Sequence, residues 1–349
     1  MDKFDNLISL LRDEGYRTVG VTANWFLSPY YGFDFDEFYY IPYPPLFILD
    51  SELYKFMKSR FEGSKLRLAL DMVKEGMIKE LISIMTSYFS YYYLTKKTHK
   101  GCNLILKILN KLDLSGQFFL FINEMEAHEP YTKDTIREKR GNNDYAYNYL
   151  KSVLYGSAED YMISHFKKYY PVHAAYSTRC VYNIIANLSK YTDLNQTLII
   201  VASDHGQHIG EDGRTGHGYY LSDELVRVPL YIKYPRDISS ASKIKQQDVS
   251  LTSIFYLVKS LVYNDKLTID NIILSESYGV QEPLILIKSL FGIDEQELKK
   301  LYTHKVRISQ GDRYVIFDIN KDSITEIKGN IDLEAVREKI REIISDTIS

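Results

Sequence analysis

The chain has 349 residues, a length that suits one large α/β domain with an appendage. Its content of 45% hydrophobic and 26% charged residues provides enough apolar material for a sizeable core. A net charge of −3, with no dense Lys/Arg patch, excludes a nucleic-acid binder that works by neutralising phosphates.

The opening stretch, MDKFDNLISLLRDEGY, mixes acidic residues among its apolar ones and is neither a signal peptide nor a membrane anchor. No later apolar run is long enough to span a bilayer, so the expected location is the cytoplasm. Residues 3–14 carry the periodicity of an amphipathic helix that Gly15 ends, and YRTVGVTAN follows as a short β-branched strand. SPYYGFDFDEFYYIPYPPLF is crowded with turn formers and aromatics and reads as an irregular loop. Helical spacing resumes over about 64–95 and again over 102–113. The tyrosine-rich SYFSYYYL at 87–94 reads as a helix packing an aromatic face.

QFFLFINE at 117–124 is a continuous apolar run bounded by polar segments, the pattern of a buried parallel strand. A charged, irregular stretch follows at 132–148, and 171–191 reads as one long helix. TLIIVAS at 197–203 and VPLYIKYP at 228–235 read as two further buried strands. Helices alternating with such strands predict a mostly parallel sheet flanked by helices. RYVIFDI at 313–319 and a charged amphipathic helix at 332–347 predict a small C-terminal α+β subdomain, with the core over 1–300 and the subdomain over 301–349. The only two cysteines, Cys102 and Cys180, stand far apart without partner motifs and read as buried thiols.

Ligand sites of open parallel sheets lie beyond the carboxyl ends of their strands, and two strand ends here are chemically loaded. TLIIVAS delivers Asp204 and His205; QFFLFINE delivers His128 a few residues beyond its end. A carboxylate oxygen and an imidazole nitrogen are both ligands for a divalent cation, and Gly206 leaves backbone room beside them. His217, in a Gly-His-Gly loop, follows a dozen residues later. Each has a plainer reading: an Asp-His after a strand also serves as a capped turn, and a lone His as a surface residue. His208, three residues after His205, adds a His-x-x-His reading in which His205, His208 and His217 build a small zinc site.

Four segments, in order, resemble the sulfatase-like hydrolases of the alkaline phosphatase superfamily. LLRDEGYRTVGVTANWFLSPYYGFDFDEF is similar to the family's helix, Gly-Tyr-x-Thr and following loop. QFFLFINEMEAHEPY resembles its apolar strand and His-x-Pro-Tyr; TLIIVASDHGQHIGEDGRTGHG, followed by ELVRVPLYIKYP, carries Asp-His-Gly, Gly-Glu, His-Gly and Arg-Val-Pro-Leu in the family's order. RYVIFDINKDSITEI is similar to its C-terminal sheet. The resemblance implies an alkaline-phosphatase-like α/β fold and in-line cleavage of a sulfate or phosphate ester on a small molecule or glycan.

Under the resemblance, Asp204 and His205 would be metal ligands, for manganese, zinc or magnesium ahead of calcium. His128 would contact the transferring group or protonate the leaving oxygen, and His217 would meet the same oxygens. The family's Gly-Lys-Trp-His segment reads Ala23-Asn24-Trp25-Phe26 here, which loses a Lys and a His and leaves Asn24 as the substrate-binding residue. The family's nucleophile and remaining metal ligands fall before the Gly-Tyr-x-Thr segment and are expected to be missing from this chain. A complementing N-terminal fragment, a homo-oligomer, or a non-catalytic remnant that binds an anionic ester or glycan are the expectations that follow.

Overall fold

The computed structural model describes residues 6–41, 65–89, 100–129, 131, 148–149, 151–153, 155–239, 243–245, 247–270, 272–279 and 303–348. The chain divides into two compact units, Met1–Arg140 with Tyr169–Asp193 and Gly141–Lys168 with Leu194–Ser349.

The first unit is organised around a strand, β1, Arg17–Thr22, in which Val19 and Val21 are fully buried. A helix, α1, Leu7–Asp13, precedes it, with the Asn6 side chain accepting from the Ser9 N–H as an N-cap. β1 pairs in parallel with β2, Glu37–Tyr40, on one edge and with β3, Phe118–Asn123, on the other. Val19 stands opposite Glu37 and Leu120 in the two registers. Gly20 is required here, because a Cβ would strike the Phe35 ring, which also stacks on Phe121 with centroids 6.0 Å apart. Strand β2 lies inside the stretch expected to be an irregular loop. Its pairing comes from β1, a neighbour outside its own sequence window, which overrides the turn-like composition.

Two helices pack on this sheet, α4, Cys102–Leu109, and α5, Asp160–Leu188, with α2, Lys65–Lys74, and α3, Ile78–Phe89, between β2 and α4 in the chain. Ile105 and Leu109 of α4 and Cys180 and Ile184 of α5 form one core with Val19 and Val21. The helix expected over 64–95 is two helices, broken where Gly76 takes φ +76°. Most side chains of the tyrosine-rich run, and the stretch 132–147, lie outside the described residues. The helix expected from 171 starts eleven residues earlier, and Pro171 stands inside α5.

Cys102 and Cys180 form a disulfide, with Cα atoms 5.8 Å apart across 78 residues of sequence. This corrects the expectation of two thiols, and the reason is packing: one cysteine opens α4, the other faces it from α5. No helix among the described residues is long and apolar enough to cross a membrane.

In the second unit, β4, Ile199–Ala202, pairs antiparallel with β7, Leu230–Lys233, so that Ile200 faces Ile232. Both were expected to be buried parallel strands. β7 instead alternates, with Leu230 and Ile232 half-buried and Tyr231 69% exposed, which is the pattern of a one-sided antiparallel strand. A two-residue ribbon joins β5, His208–Ile209, to β6, Thr215–Gly216, and a single helical turn, α6, Asp223–Val226, precedes β7. A further helix, α7, spans Ser253–Tyr263.

The C-terminal sheet is antiparallel, in the order β11 (Ser323–Lys328), β10 (Arg313–Asp318), β9 (Lys305–Gln310), β8 (Ile273–Ser277). Alternation in β9 sorts its faces: Val306 and Ile308 pack with Val336 and Ile340 of helix α8, Leu333–Ile348. Arg307 points to the other face and is 1% exposed, with its guanidinium over the Tyr314 ring, 3.8 Å from the centroid. It donates to the Leu221 carbonyl at 2.8 Å and pairs with Asp223. Residues 221–223 are thereby tied to the C-terminal sheet. A parallel sheet with flanking helices, together with this small α+β element, bears out the α/β fold class.

Candidate active site

At the carboxyl end of β3, the segment Glu124–Glu129 is fastened residue by residue. Glu124 accepts from the Glu126 N–H at 2.6 Å and from the Ser177 hydroxyl. Burial pushes the Glu124 carboxyl above its usual pKa, and those two hydrogen bonds only partly offset it. Glu126, 1% exposed, accepts from the N–H groups of Lys100 at 2.8 Å and Cys102 at 3.1 Å, which places a carboxylate on the orphan amides that open α4. Its second oxygen, Oε2, is buried with no hydrogen-bond partner among the described residues.

His128 closes a turn through its N–H to the Met125 carbonyl at 3.1 Å. Its Nδ1 lies 2.6 Å from the Glu129 carbonyl oxygen, which can only accept. The neutral ring therefore carries its proton on Nδ1, and Nε2 holds the lone pair. Lys100 donates its ammonium to the His128 carbonyl oxygen. Beside this end, the Asn24 N–H donates to Thr22 Oγ1 at 2.9 Å, and that oxygen stands 3.2 Å from Asn123 Oδ1. The side-chain oxygen of Asn24 accepts from the Phe26 N–H at 3.0 Å, so a substrate contact from Asn24 would come from its amide nitrogen.

At the end of β4, Asp204 and His205 leave the strand into a loop held by the backbone of α6. Gly206 donates to the Leu225 carbonyl at 2.8 Å and Gln207 to the Glu224 carbonyl at 3.0 Å. A Cβ at Gly206 would collide with the Glu224 carbonyl oxygen, so the glycine is what permits this approach. The His205 Nδ1 meets the Gly206 carbonyl oxygen at 2.8 Å, which again leaves Nε2 as the lone-pair nitrogen. A metal-binding histidine uses this arrangement, with its other ring N–H given to a backbone carbonyl. The nearest Asp204 carboxylate oxygen is 4.0 Å from that Nε2. One cation about 2.0–2.2 Å from each atom spans such a gap only at an angle of roughly 130° or more, wider than tetrahedral, so the two donors would have to draw together to form adjacent corners of a metal site.

The His217 ring stacks on His205, with centroids 4.3 Å apart and planes at 26°, and its Nδ1 lies 3.2 Å from Gln207 Oε1. His205 and His217 are thus brought together, as their order in the chain implied. His208 is not part of that group: it is buried, its Nε2 meets the Ser222 hydroxyl at 2.8 Å, and burial lowers its pKa. Among the described residues, no three or more His, Cys, Asp or Glu side chains are grouped to hold a metal ion, so Asp204 and His205 stand as two donors. The zinc reading with His208 is accordingly set aside.

The sulfatase family matches this sequence over residues 1–262. The chain belongs to the sulfatase family. At the level of the family it is a sulfatase-like hydrolase of the alkaline phosphatase superfamily, with a function of the sulfate-ester-hydrolase kind. No curated protein matches the sequence. Among solved structures it is similar to a 2-O GAG sulfatase, at 12% identity and a TM-score of 0.51, over 100% of this chain and 74% of the other. It is also similar to a protein from Bacteroides thetaiotaomicron VPI-5482 described as a sulfatase, at 11% identity and a TM-score of 0.51, over 98% and 74% of the two chains. Likeness at such identities concerns the fold.

Several residues of this sulfatase-family chain escaped sequence reasoning. Lys100 and Glu126 are charged yet buried, against the ordinary preference of their residue types. Gln207 and Ser222 acquire their roles only by facing His217 and His208. The one sequence signal for any of them was Glu124 and Glu126 directly following an apolar strand, the same polar-end pattern that flagged Asp204.

Proposed function

We propose that this chain hydrolyses sulfate esters of small molecules or glycans, with phosphate esters as the alternative substrate class, and that residues at its two loaded strand ends take part. Asp204 and His205 would hold a divalent cation, His217 would meet the oxygens of the transferring group, and His128 would contact that group or protonate the leaving oxygen. Asn24 would bind substrate. A bound divalent cation would supply positive charge for the ester oxygens.

The observation that carries the reading is the pinned His205 ring, with Nδ1 on the Gly206 carbonyl and Nε2 4.0 Å from the Asp204 carboxylate. That pinning supports reading His205 as a ligand with Asp204 beside it, and the same Nδ1 pinning at His128 leaves its Nε2 in the form that accepts or passes on a proton. Two donors hold a cation weakly, which supports a second reading: an anionic-ester or glycan binder without turnover.

Turnover of nitrophenyl sulfate and nitrophenyl phosphate, measured with manganese, zinc, magnesium and calcium in turn, separates these readings. Turnover that requires one of these metals and disappears in Asp204→Ala supports the hydrolase. Metal-independent binding of a sulfated glycan with no turnover of either ester supports the binder.

A further inference from the structure

The turn that carries His128 is held at its carbonyl by a buried cation. Lys100 is 6% exposed, and its ammonium donates to the His128 carbonyl oxygen across 28 residues of sequence. The backbone of the same lysine is anchored separately, through its N–H on Glu126 Oε1 at 2.8 Å. Its neighbour Cys102 shares that carboxylate oxygen and is bonded to Cys180 on α5. Lys100 therefore reaches His128 from a frame that is capped, covalently closed and packed into the core of the first unit.

Holding a carbonyl needs only a donor, and a hydroxyl or amide would do so at smaller desolvation cost. The group used here is one whose charge is penalised by burial and favoured by its neighbours. Burial lowers the Lys100 pKa to about 8, while Glu126, Glu129 and Glu124 oppose the shift. The Tyr131 ring lies 5.5 Å from the ammonium, and His173, behind Glu126, places Nδ1 3.2 Å from the Glu126 carbonyl oxygen. A fold that accepts this cost at a strand end where ligands bind marks the charge, and not only the hydrogen bond, as the useful property.

We propose that Lys100 is a positioning residue for His128: its ammonium, clamped on the His128 carbonyl, fixes where the imidazole stands and keeps positive charge beside it. The proposal rests on the reading of His128 as a residue that meets the transferring group.

The test uses the full chain and the variants Lys100→Met and Lys100→Arg, with His128→Gln to assign the His128 ring signals by NMR. In the unsubstituted protein, those signals show a second inflection near pH 8 as Lys100 loses its proton. Lys100→Met removes that inflection and raises the pKa of the ring; Lys100→Arg keeps the ring signals of the parent and shows no inflection up to pH 10. If the chain turns over nitrophenyl sulfate, Lys100→Met lowers kcat on the order of 10- to 100-fold with KM nearly unchanged, and Lys100→Arg restores most of it. An unchanged His128 titration in folded Lys100→Met overturns the proposal. Should Lys100→Met fail to fold, the parent protein decides alone, and a His128 titration without an inflection near pH 8 overturns it. If the parent turns over no ester, the hydrolase reading falls while the ring titration still decides the role of Lys100.

Discussion

At the end of β3, Lys100 and Glu126 are 6% and 1% exposed, whereas at the end of β4 the Asp204 and His205 side chains keep 76% and 39% of their exposure. The first strand end takes charge out of water and balances it with caps, a clamp and a disulfide. The second leaves its charges in water and prearranges only the orientation of its rings. Each matches a different task. A group that must stand in one place with a chosen protonation state gains from burial, because burial shifts pKa and restricts motion. A group that must receive a hydrated ion gains from exposure, because the ion sheds water stepwise.

The frame of the first strand end is where substitution should have the largest effect. Reducing the Cys102–Cys180 bond, or replacing both cysteines with Ser, opens a loop of 78 residues and should lower unfolding free energy by about 4 kcal/mol. Urea titrations with and without reductant measure it. A loss below about 1 kcal/mol would mean that packing of Ile105, Leu109 and Ile184 alone holds the frame, and the contrast between the strand ends would weaken.

The loop beyond β4 has a support of another kind. Arg307 joins the C-terminal sheet to Leu221 and Asp223, next to Ser222, which holds His208. Arg307→Met keeps the apolar stem and removes the guanidinium, so Leu221 and Asp223 lose a buried partner. The expected cost is about 3 kcal/mol, because breaking a buried pair leaves its remaining members unsatisfied. Lys328, at 2.8 Å, retains part of the Asp223 interaction and keeps the loss from growing further. Equilibrium unfolding of the variant checks the magnitude, and the ring signals of His217 show whether its loop has moved.

At Asp204 the expectation reverses: a large effect on binding with almost none on folding. Asp204→Ala should change stability by no more than about 0.5 kcal/mol, as for other exposed surface substitutions. Its manganese or zinc affinity, by calorimetry, should fall at least about tenfold, since even the outer partners of metal ligands cost 10- to 100-fold when lost. Equal affinity in parent and variant would remove Asp204 from the site and leave His205 with no carboxylate beside it.

These differences also explain what was legible in the sequence. Asp204 and His205 were visible because polar residues end an apolar run, and His217 because its Gly-His-Gly loop follows closely. β3 was visible as a continuous apolar run, and β10 as a run of β-branched and aromatic residues. β2 was hidden, since the Gly, Asp and Tyr of its surroundings describe a loop until β1 lies alongside. The antiparallel pairing of β4 with β7 was written in the alternation of Leu230, Tyr231, Ile232 and Lys233, but the apolar count outweighed the period. Lys100 and the disulfide were not legible at all, and Glu126 only as an acidic residue shortly after an apolar run. Each depends on residues from 24 to 78 positions away, and no local pattern marks a lysine that will be buried.

The smallest expected effect is also the one that separates stability from function at the buried end. The Lys100 pKa falls to about 8 in the fold, below the ordinary lysine value near 10.4. Between these two values the unfolded chain binds the extra proton, so the Lys100 contribution to stability improves as pH rises from 8 to about 10. Below pH 8 both states hold the proton and the penalty for burying the ammonium is complete. Lys100→Met removes that penalty together with the hydrogen bond to His128, and the net gain at pH 7 should be about 1 kcal/mol. Because the parent recovers by about 1.4 kcal/mol for each pH unit between those two values, the gain should shrink above pH 8, vanish near pH 9 and reverse by pH 10. Unfolding curves for both proteins at pH 7, 8, 9 and 10 test the trend. A variant that is less stable than the parent at pH 7, with a gap independent of pH, would show that Lys100 is there for packing and that its charge costs the fold nothing.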